Sequence, residues 1–552
     1  MTSQNKIFWG IAISLLLLAA GLRLGSLSNR PVHTDEAVHA EKLGDLLERG
    51  EYTYDPHEFH GPTLNYVSHA VARLRGHNTH ASLDVIDLRL PAALAGILLV
   101  AGVLLLRPIG RHELLGALAV VAVCHELVFF SRYSIQEIFL VCFSLYAAIA
   151  IHRTFASPAL SSRWLWAVLA GLFVGLAHST KETWVLCLPA AAIALGVVAL
   201  RFKLRPSIKN NAATLLGQFA LALAVATVVA WALLTNFGKN PAALGDSIST
   251  YGNYLRRAAG DAAAMGADRH AHPAWRYIEW LFYSPAKGWL YTELFLLVLA
   301  GWSFVTGWRR SKSLSPAQCQ WRVGLGVYTV VLFAIYSSLT YKTPWCMLGV
   351  ILPLCILAGC GKIDLLHKAK RTGQSTHAIA TGVILAILAF STIQAYRASF
   401  IDTTAHGNPN VYAHTHDDVA ALGKVLERWR LADPAAAHTH IQVIALGKDH
   451  WPWPWYLRNF KRVGYHTGID TTSRPGQLII LMAPFGQIDA LEAQLIQHLY
   501  NAFPAGQKSL YVAPNLPGLP KRMRLRLDIE MRLYVPLALR ERMHEALAPA
   551  KK

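Results

Sequence analysis

The sequence predicts a mainly α, polytopic membrane protein of about eleven transmembrane helices followed by a small C-terminal α/β domain. Three observations carry this. Of 552 residues, 53% are hydrophobic and 15% charged, with a mean hydropathy of +0.32, which is too apolar for a soluble chain of this length. Apolar runs of spanning length recur through residues 1–395 and then stop. Beyond them, from Met523 to Val535, apolar residues alternate strictly with mostly charged ones, which is the period of a half-buried strand.

The apolar runs lie near 7–26, 88–106, 113–130, 136–152, 164–178, 184–200, 212–235, 289–307, 323–340, 344–361 and 377–395. A helix needs roughly 20 such residues to cross the hydrocarbon core, so 136–152 and 164–178 are short. The first run continues past Arg23 without a small-residue cleavage site and reads as an uncleaved helix. Cations cluster at Lys6, Arg107 with Arg111, Arg153 with Arg163, Arg201 to Lys209, Arg309 to Arg322, and Lys362 to Arg371. The positive-inside rule assigns these clusters to the cytoplasm. An odd helix count then puts the loops 27–87 and 236–288 and the tail on the outside. The expected organisation is a transmembrane domain at 1–395 and an extracytoplasmic domain at 396–552, in the plasma (inner) membrane with the N-terminus cytoplasmic. Loop bias accounts for much of the net charge of +19, and no nucleic-acid partner is expected. The seven cysteines form neither a CxxC motif nor a disulfide framework.

In the tail, Asp417 to Arg430 and Gln487 to Tyr500 read as helices, and Ile441 to Leu446, Leu478 to Met482 and Arg522 to Val535 as strands.

The chemistry-bearing residues concentrate after the first apolar run, in His33-Thr34-Asp35-Glu36-Ala37-Val38-His39 and in Tyr54-Asp55-Pro56-His57-Glu58-Phe59-His60-Gly61-Pro62. Two adjacent carboxylates next to a membrane helix, in a chain poor in acids, are costly to place and mark candidate chemistry. They also suit the N-terminus of a helix that uses Val38, Leu43, Leu46 and Leu47 as its apolar face, with Thr34 or Asp35 as cap and Gly50 as stop. No cofactor is established. A divalent cation is the one candidate, on His33, His39, Asp55 and His57, with a catalytic base or a hydrogen-bond network as the alternative.

Three short turns on the expected outer face each carry a cation that the positive-inside rule would remove: Arg132 before Tyr133 and Glu137, Lys181, and Lys342. Converging cations suit an anionic ligand such as a phosphate, and anchoring to lipid headgroups is the alternative. Glu137 at a helix entrance is either a dipole-suited cap or a second acid.

With these residues in view the chain resembles the GT-C superfamily of membrane glycosyltransferases that use polyprenyl-phosphate sugars. The protein mannosyltransferase and aminoarabinose transferase group is the nearest part of it. His33 to His39 resembles the Asp-Glu motif of their first exterior loop. Ser131-Arg132-Tyr133 resembles their Arg-Tyr segment before a second acid. Ser179-Thr180-Lys181-Glu182 and Tyr341-Lys342-Thr343-Pro344-Trp345 resemble their phosphate-side lysine segments. Gln136-Glu137 departs where an aspartate is usual, and His60-Gly61 where a Lys-Pro-type sequence is usual. A closer resemblance, in Asp35-Glu36-Ala37, Tyr54 to Pro62 and Trp451-Pro452-Trp453-Pro454-Trp455-Tyr456-Leu457-Arg458, is to flippase-activity-associated membrane proteins of archaeal-type N-glycosylation. The last segment's rings either stack on sugar or lipid or pack in the tail domain.

The resemblance implies transfer of a hexosyl or pentosyl group from a polyprenyl-phosphate-linked sugar to a protein or glycan acceptor on the outer face, within membrane lipid. Asp35, Glu36 and Glu137 would be catalytic, and Arg132, Tyr133, Lys181, Lys342, His60 and Tyr54 would bind substrate and phosphate. The alternative is a non-catalytic accessory protein that binds lipid-linked glycan or assists its flipping.

Overall fold

Nine helices among the described residues are long and apolar enough to cross a membrane: Ser3–Leu24, Val85–Leu105, Glu137–Ala156, Leu160–His178, Glu182–Phe202, Ala212–Leu234, Pro316–Ser338, Pro344–Thr372 and Gln374–Ile401. The computed structural model describes residues 3–56, 60–204, 212–258, 270–472, 474–502, 511–514, 516, 519–520 and 522–548. The short runs at 136–152 and 164–178 extend into helices of 20 and 19 residues. Two expected spans differ. The run 113–130 breaks at Cys124, whose backbone is extended, into Arg111–Val123 and His125–Phe130. The run 289–307 holds the 15-residue helix Leu294–Trp308.

The chain divides into two compact units. The first comprises Met1–Leu27, Gly50–Arg75 and Ile86–Tyr412, and contains all the candidate spans. Its central helices touch through small residues. Helices Arg111–Val123 and Leu348–Thr372 cross at Gly116 and Gly359, where a Cβ on Gly359 would stand 2.2 Å from the backbone nitrogen of Ala117. Without a hydrophobic force between helices in lipid, such backbone approach is how they gain contact. Arg322, expected in a cytoplasmic loop, is instead buried on Pro316–Ser338 and pairs with Glu113 at 3.5 Å and with Asp364.

The second unit comprises Ser28–Arg49, Gly76–Val85 and Ala413–Lys552. The loop expected at 27–87 is therefore shared. Its Asp-Glu segment folds with the tail, and its middle, Gly50–Arg75, folds with the membrane helices.

The tail sheet uses β3 (His440–Ala445), β4 (Arg462–His466), β5 (Leu478–Pro484), β6 (Tyr511–Val512), β7 (Met523–Arg526) and β8 (Ile529–Pro536) in the order β4-β3-β5-β8-β6, with β7 also on β8. A separate hairpin, β1 (Ser284–Ala286) with β2 (Trp289–Tyr291), lies in the membrane unit. Strands β3, β4 and β5 are parallel, and β8 runs antiparallel to β5. Both faces of β5 are covered. Leu478, Ile480 and Met482 join the core under helix Asp417–Ala432, while Ile479, Leu481 and Ala483 pack with helix Ile488–Ala502. Double coverage explains why this strand is an unbroken apolar run. The expected single strand 522–535 is a hairpin, with Arg526 paired to Ile529 around Leu527-Asp528. The alternation survives the turn because a bulge between Arg524 and Arg526 shifts the register by one, setting Met523 opposite Met531 and Arg524 opposite Glu530, and of the alternating apolar residues only Leu527 is exposed.

Gly359→Ala is expected to destabilise the membrane unit by about 1–3 kcal/mol through overpacking. Gly196→Ala, on a helix face with nothing within 4 Å, should not. Thermal unfolding of the two purified variants in one detergent checks this.

Candidate active site

The Asp-Glu segment opens helix Thr34–Glu48, and His33, not Thr34 or Asp35, caps it. The His33 ring nitrogen Nδ1 accepts from the Asp35 amide at 3.1 Å, and Glu36 Oε2 accepts from the His33 amide at 3.0 Å. This reciprocal box fixes two adjacent carboxylates in different environments. Glu36 is fully buried, 3.9 Å from the Arg30 guanidinium, while Asp35 keeps 41% of its side chain exposed. The predicted apolar face of Val38, Leu43, Leu46 and Leu47 is buried, and Gly50 beyond the last turn has φ +65°.

The tail holds this segment from its own unit. Tyr456 Oη accepts from the Val32 amide at 3.0 Å, Thr415 Oγ1 donates to the Val32 carbonyl at 2.7 Å, and Arg526 donates to Thr34 Oγ1 at 2.6 Å. Trp453 and Trp455 are buried, and the Arg458 guanidinium lies 3.9 Å over the Trp455 ring. The Trp-Pro segment therefore packs, which answers the alternative left open for its rings.

In the membrane unit the three cation-bearing turns meet at one end. Lys181 forms a buried ion pair with Glu137. Burial works against the Lys181 charge, but the Glu137 carboxylate together with Cys346 and Glu182 outweighs that penalty and raises the ammonium above the ordinary lysine value. Tyr133 is fully buried, its ring 6.2 Å from that of Trp345 in the Lys342 turn. Arg132 turns inward to the C-terminal end of helix Ser3–Leu24, where it donates to the carbonyls of Leu22 at 3.1 Å, Gly25, and Ser26 at 3.1 Å. Its guanidinium also lies 4.1 Å over the Phe400 ring. Lys342, 1% exposed, donates to the Leu339 carbonyl that ends helix Pro316–Ser338. Cations at helix C-termini satisfy carbonyls left without an intrahelical partner.

The strap formed by residues 52–56 and 60–63 is stitched to the Lys181 turn. Gly61 donates to the Thr180 carbonyl at 3.1 Å, and Thr63 Oγ1 to the Ser179 carbonyl at 2.8 Å. A Cβ at Gly61 would stand 2.1 Å from the Ser179 carbonyl oxygen, so only glycine permits the approach. At its centre is Glu182, which sequence reasoning quoted but gave no role. It accepts from Tyr54 Oη at 3.0 Å and pairs with His60 Nδ1 at 2.8 Å. Its two partners lie more than 120 residues away in sequence, so spacing gave no signal. Tyr54 and His60 thus both bond the Glu182 carboxylate.

The candidate cation ligands fall in different parts of the chain. Asp55 belongs to one unit and His33 and His39 to the other, His33 Nδ1 is engaged at the helix cap, and His57 lies outside the described residues.

The fold is similar to that of two solved membrane proteins. More specifically, the sequence model of the dolichyl-phosphate-mannose-protein mannosyltransferase family matches residues 13–241. The archaeal oligosaccharyltransferase AglB from Archaeoglobus fulgidus, solved with an inhibitory peptide and a dolichol-phosphate, is similar with a TM-score of 0.55 and 12% identity, over 87% of this chain and 70% of that one. ArnT from Cupriavidus metallidurans, solved bound to undecaprenyl phosphate, is similar with a TM-score of 0.53 and 14% identity, over 97% of this chain and 98% of that one. No curated protein matches the chain in sequence.

Lys181→Met leaves Glu137 buried without its partner and is expected to cost about 3–5 kcal/mol, while Glu137→Gln with Lys181→Met should recover most of that. A double-mutant cycle by denaturant unfolding measures the difference.

Proposed function

We propose that the protein is an integral-membrane glycosyltransferase that moves a sugar from a polyprenyl-phosphate donor to a hydroxyl or amide of a protein or glycan acceptor, on the extracytoplasmic face of the plasma membrane. The observation that carries this reading is the mannosyltransferase-family match, which spans Asp35, Glu36, Arg132, Glu137, Lys181 and Glu182 on a GT-C fold. The lipid phosphates in the two similar structures support a lipid-linked donor.

In this proposal Asp35, the more exposed carboxylate, takes the acceptor proton as the bond from the acceptor atom to the sugar carbon forms. The bond from that carbon to the phosphate oxygen breaks, and polyprenyl phosphate leaves with the electron pair. Glu36 holds the helix entry that orients Asp35. Lys342, which spends one of its three donors on Leu339, and Arg132 stabilise the charge developing on the phosphate. Glu137 and Lys181 act as a unit that keeps a positive charge at the turn. Tyr133 packs this floor, and Glu182 with Tyr54 and His60 keeps the strap in place.

The test is transfer from a labelled polyprenyl-phosphate sugar in proteoliposomes, with donor binding measured separately. Wild type should transfer. Asp35→Asn should bind donor within about 3-fold of wild type and lose at least ~100-fold in rate, as for removal of a general base. If both bind lipid phosphate and neither transfers across a broad acceptor panel, the chain is an accessory protein that binds lipid-linked glycan.

A further inference from the structure

The break at Cys124 turns polar groups into the core of the membrane unit that the proposed transfer does not use. Cys124 Sγ donates to Glu126 Oε2 at 3.0 Å. Glu293, at the entry to helix Leu294–Trp308, brings a second carboxylate, and donor atoms of Cys124, Glu126 and Glu293 all lie within 4.8 Å of one another. All three residues are buried, Glu293 with 1% exposure.

Two facing carboxylates in the interior must have compensating positive charge or take up protons. Hydrogen bonds do not supply it. Both oxygens of Glu293 and Oε1 of Glu126 are buried without a hydrogen-bond partner among the described residues. His125 Nε2 approaches Glu293 at 3.1 Å and Glu126 at 3.4 Å, but no directional hydrogen bond closes. Its other nitrogen is held by Asn410 Nδ2 at 3.0 Å. The ring is thus oriented beside both carboxylates, as an outer-shell histidine is around a metal.

We propose that Cys124, Glu126 and Glu293 bind one divalent transition metal of the zinc class. Mixed thiolate and carboxylate donors suit a borderline-soft ion with four ligands and suit magnesium or calcium poorly. Binding releases the Cys124 thiol proton to solvent and leaves the thiolate on the metal. The ion ties two elements: the break leading to the Arg132-Tyr133 turn and the entry to Leu294–Trp308. Its role is structural and does not depend on the proposed transfer.

The experiment uses the full chain purified in detergent, with metal content by mass spectrometry and optical spectra after loading with cobalt(II) alone. Wild type should hold about one zinc or cobalt per chain, with the thiolate-to-cobalt charge-transfer band of a sulfur-ligated site. Glu293→Gln should weaken cobalt binding by at least ~10-fold, and Cys124→Ser should lose the band. Folded wild type that binds no stoichiometric cobalt, or a band that survives in Cys124→Ser, overturns the site. Should Cys124→Ser fail to fold, the wild-type stoichiometry and spectrum decide alone. Because no readout is activity, failure here is distinct from failure to transfer sugar.

Discussion

A charge placed where water cannot reach it must bring its partner along, and that constraint organises the protein. Lys181 is buried with Glu137, Arg322 with Glu113 and Asp364, and Glu36 with Arg30. Arg132 and Lys342 meet the requirement with helix-terminal carbonyls. Each pairing also fixes one piece of chain against another. The ion pair joins the turn at 131–136 to the turn at 178–181, and the arginine joins that same turn to the end of the first helix.

The same constraint separates residues that look alike in sequence. Asp35 and Glu36 are neighbours of equal charge, yet the helix cap draws Glu36 inward and leaves Asp35 facing outward. Glu36 is fully buried beside Arg30, and Asp35 keeps 41% of its side chain exposed. Around Glu182, Tyr54 and His60 satisfy a buried carboxylate, so the strap they sit on is held in place by charge as well as by backbone bonds.

Much of this architecture was legible in the sequence, because hydropathy and period are local. The spanning helices, the helix after Asp35 with its stop at Gly50, and the doubly covered strand at 478–482 all follow from runs and spacings. The hairpin at Leu527-Asp528 was not legible, since the bulge between Arg524 and Arg526 lets a two-residue turn keep the alternation of one long strand. Nor were the carbonyls that Arg132 bonds, at the end of a helix a hundred residues earlier in the chain, since nothing local in its turn points to them. The packing of Trp453 and Trp455 against their own domain was equally hidden, because aromatic composition does not say which face is covered.

The central claim is that burial divides the labour of the two adjacent carboxylates. The most direct test measures thermal stability and single-turnover sugar transfer side by side for Asp35→Asn and Glu36→Gln. The account predicts that Asp35→Asn keeps the unfolding midpoint and loses the rate, while Glu36→Gln lowers the midpoint by several degrees, as expected for a loss of about 1–3 kcal/mol. Full transfer by a stable Asp35→Asn, with the rate lost instead in an equally stable Glu36→Gln, would contradict it.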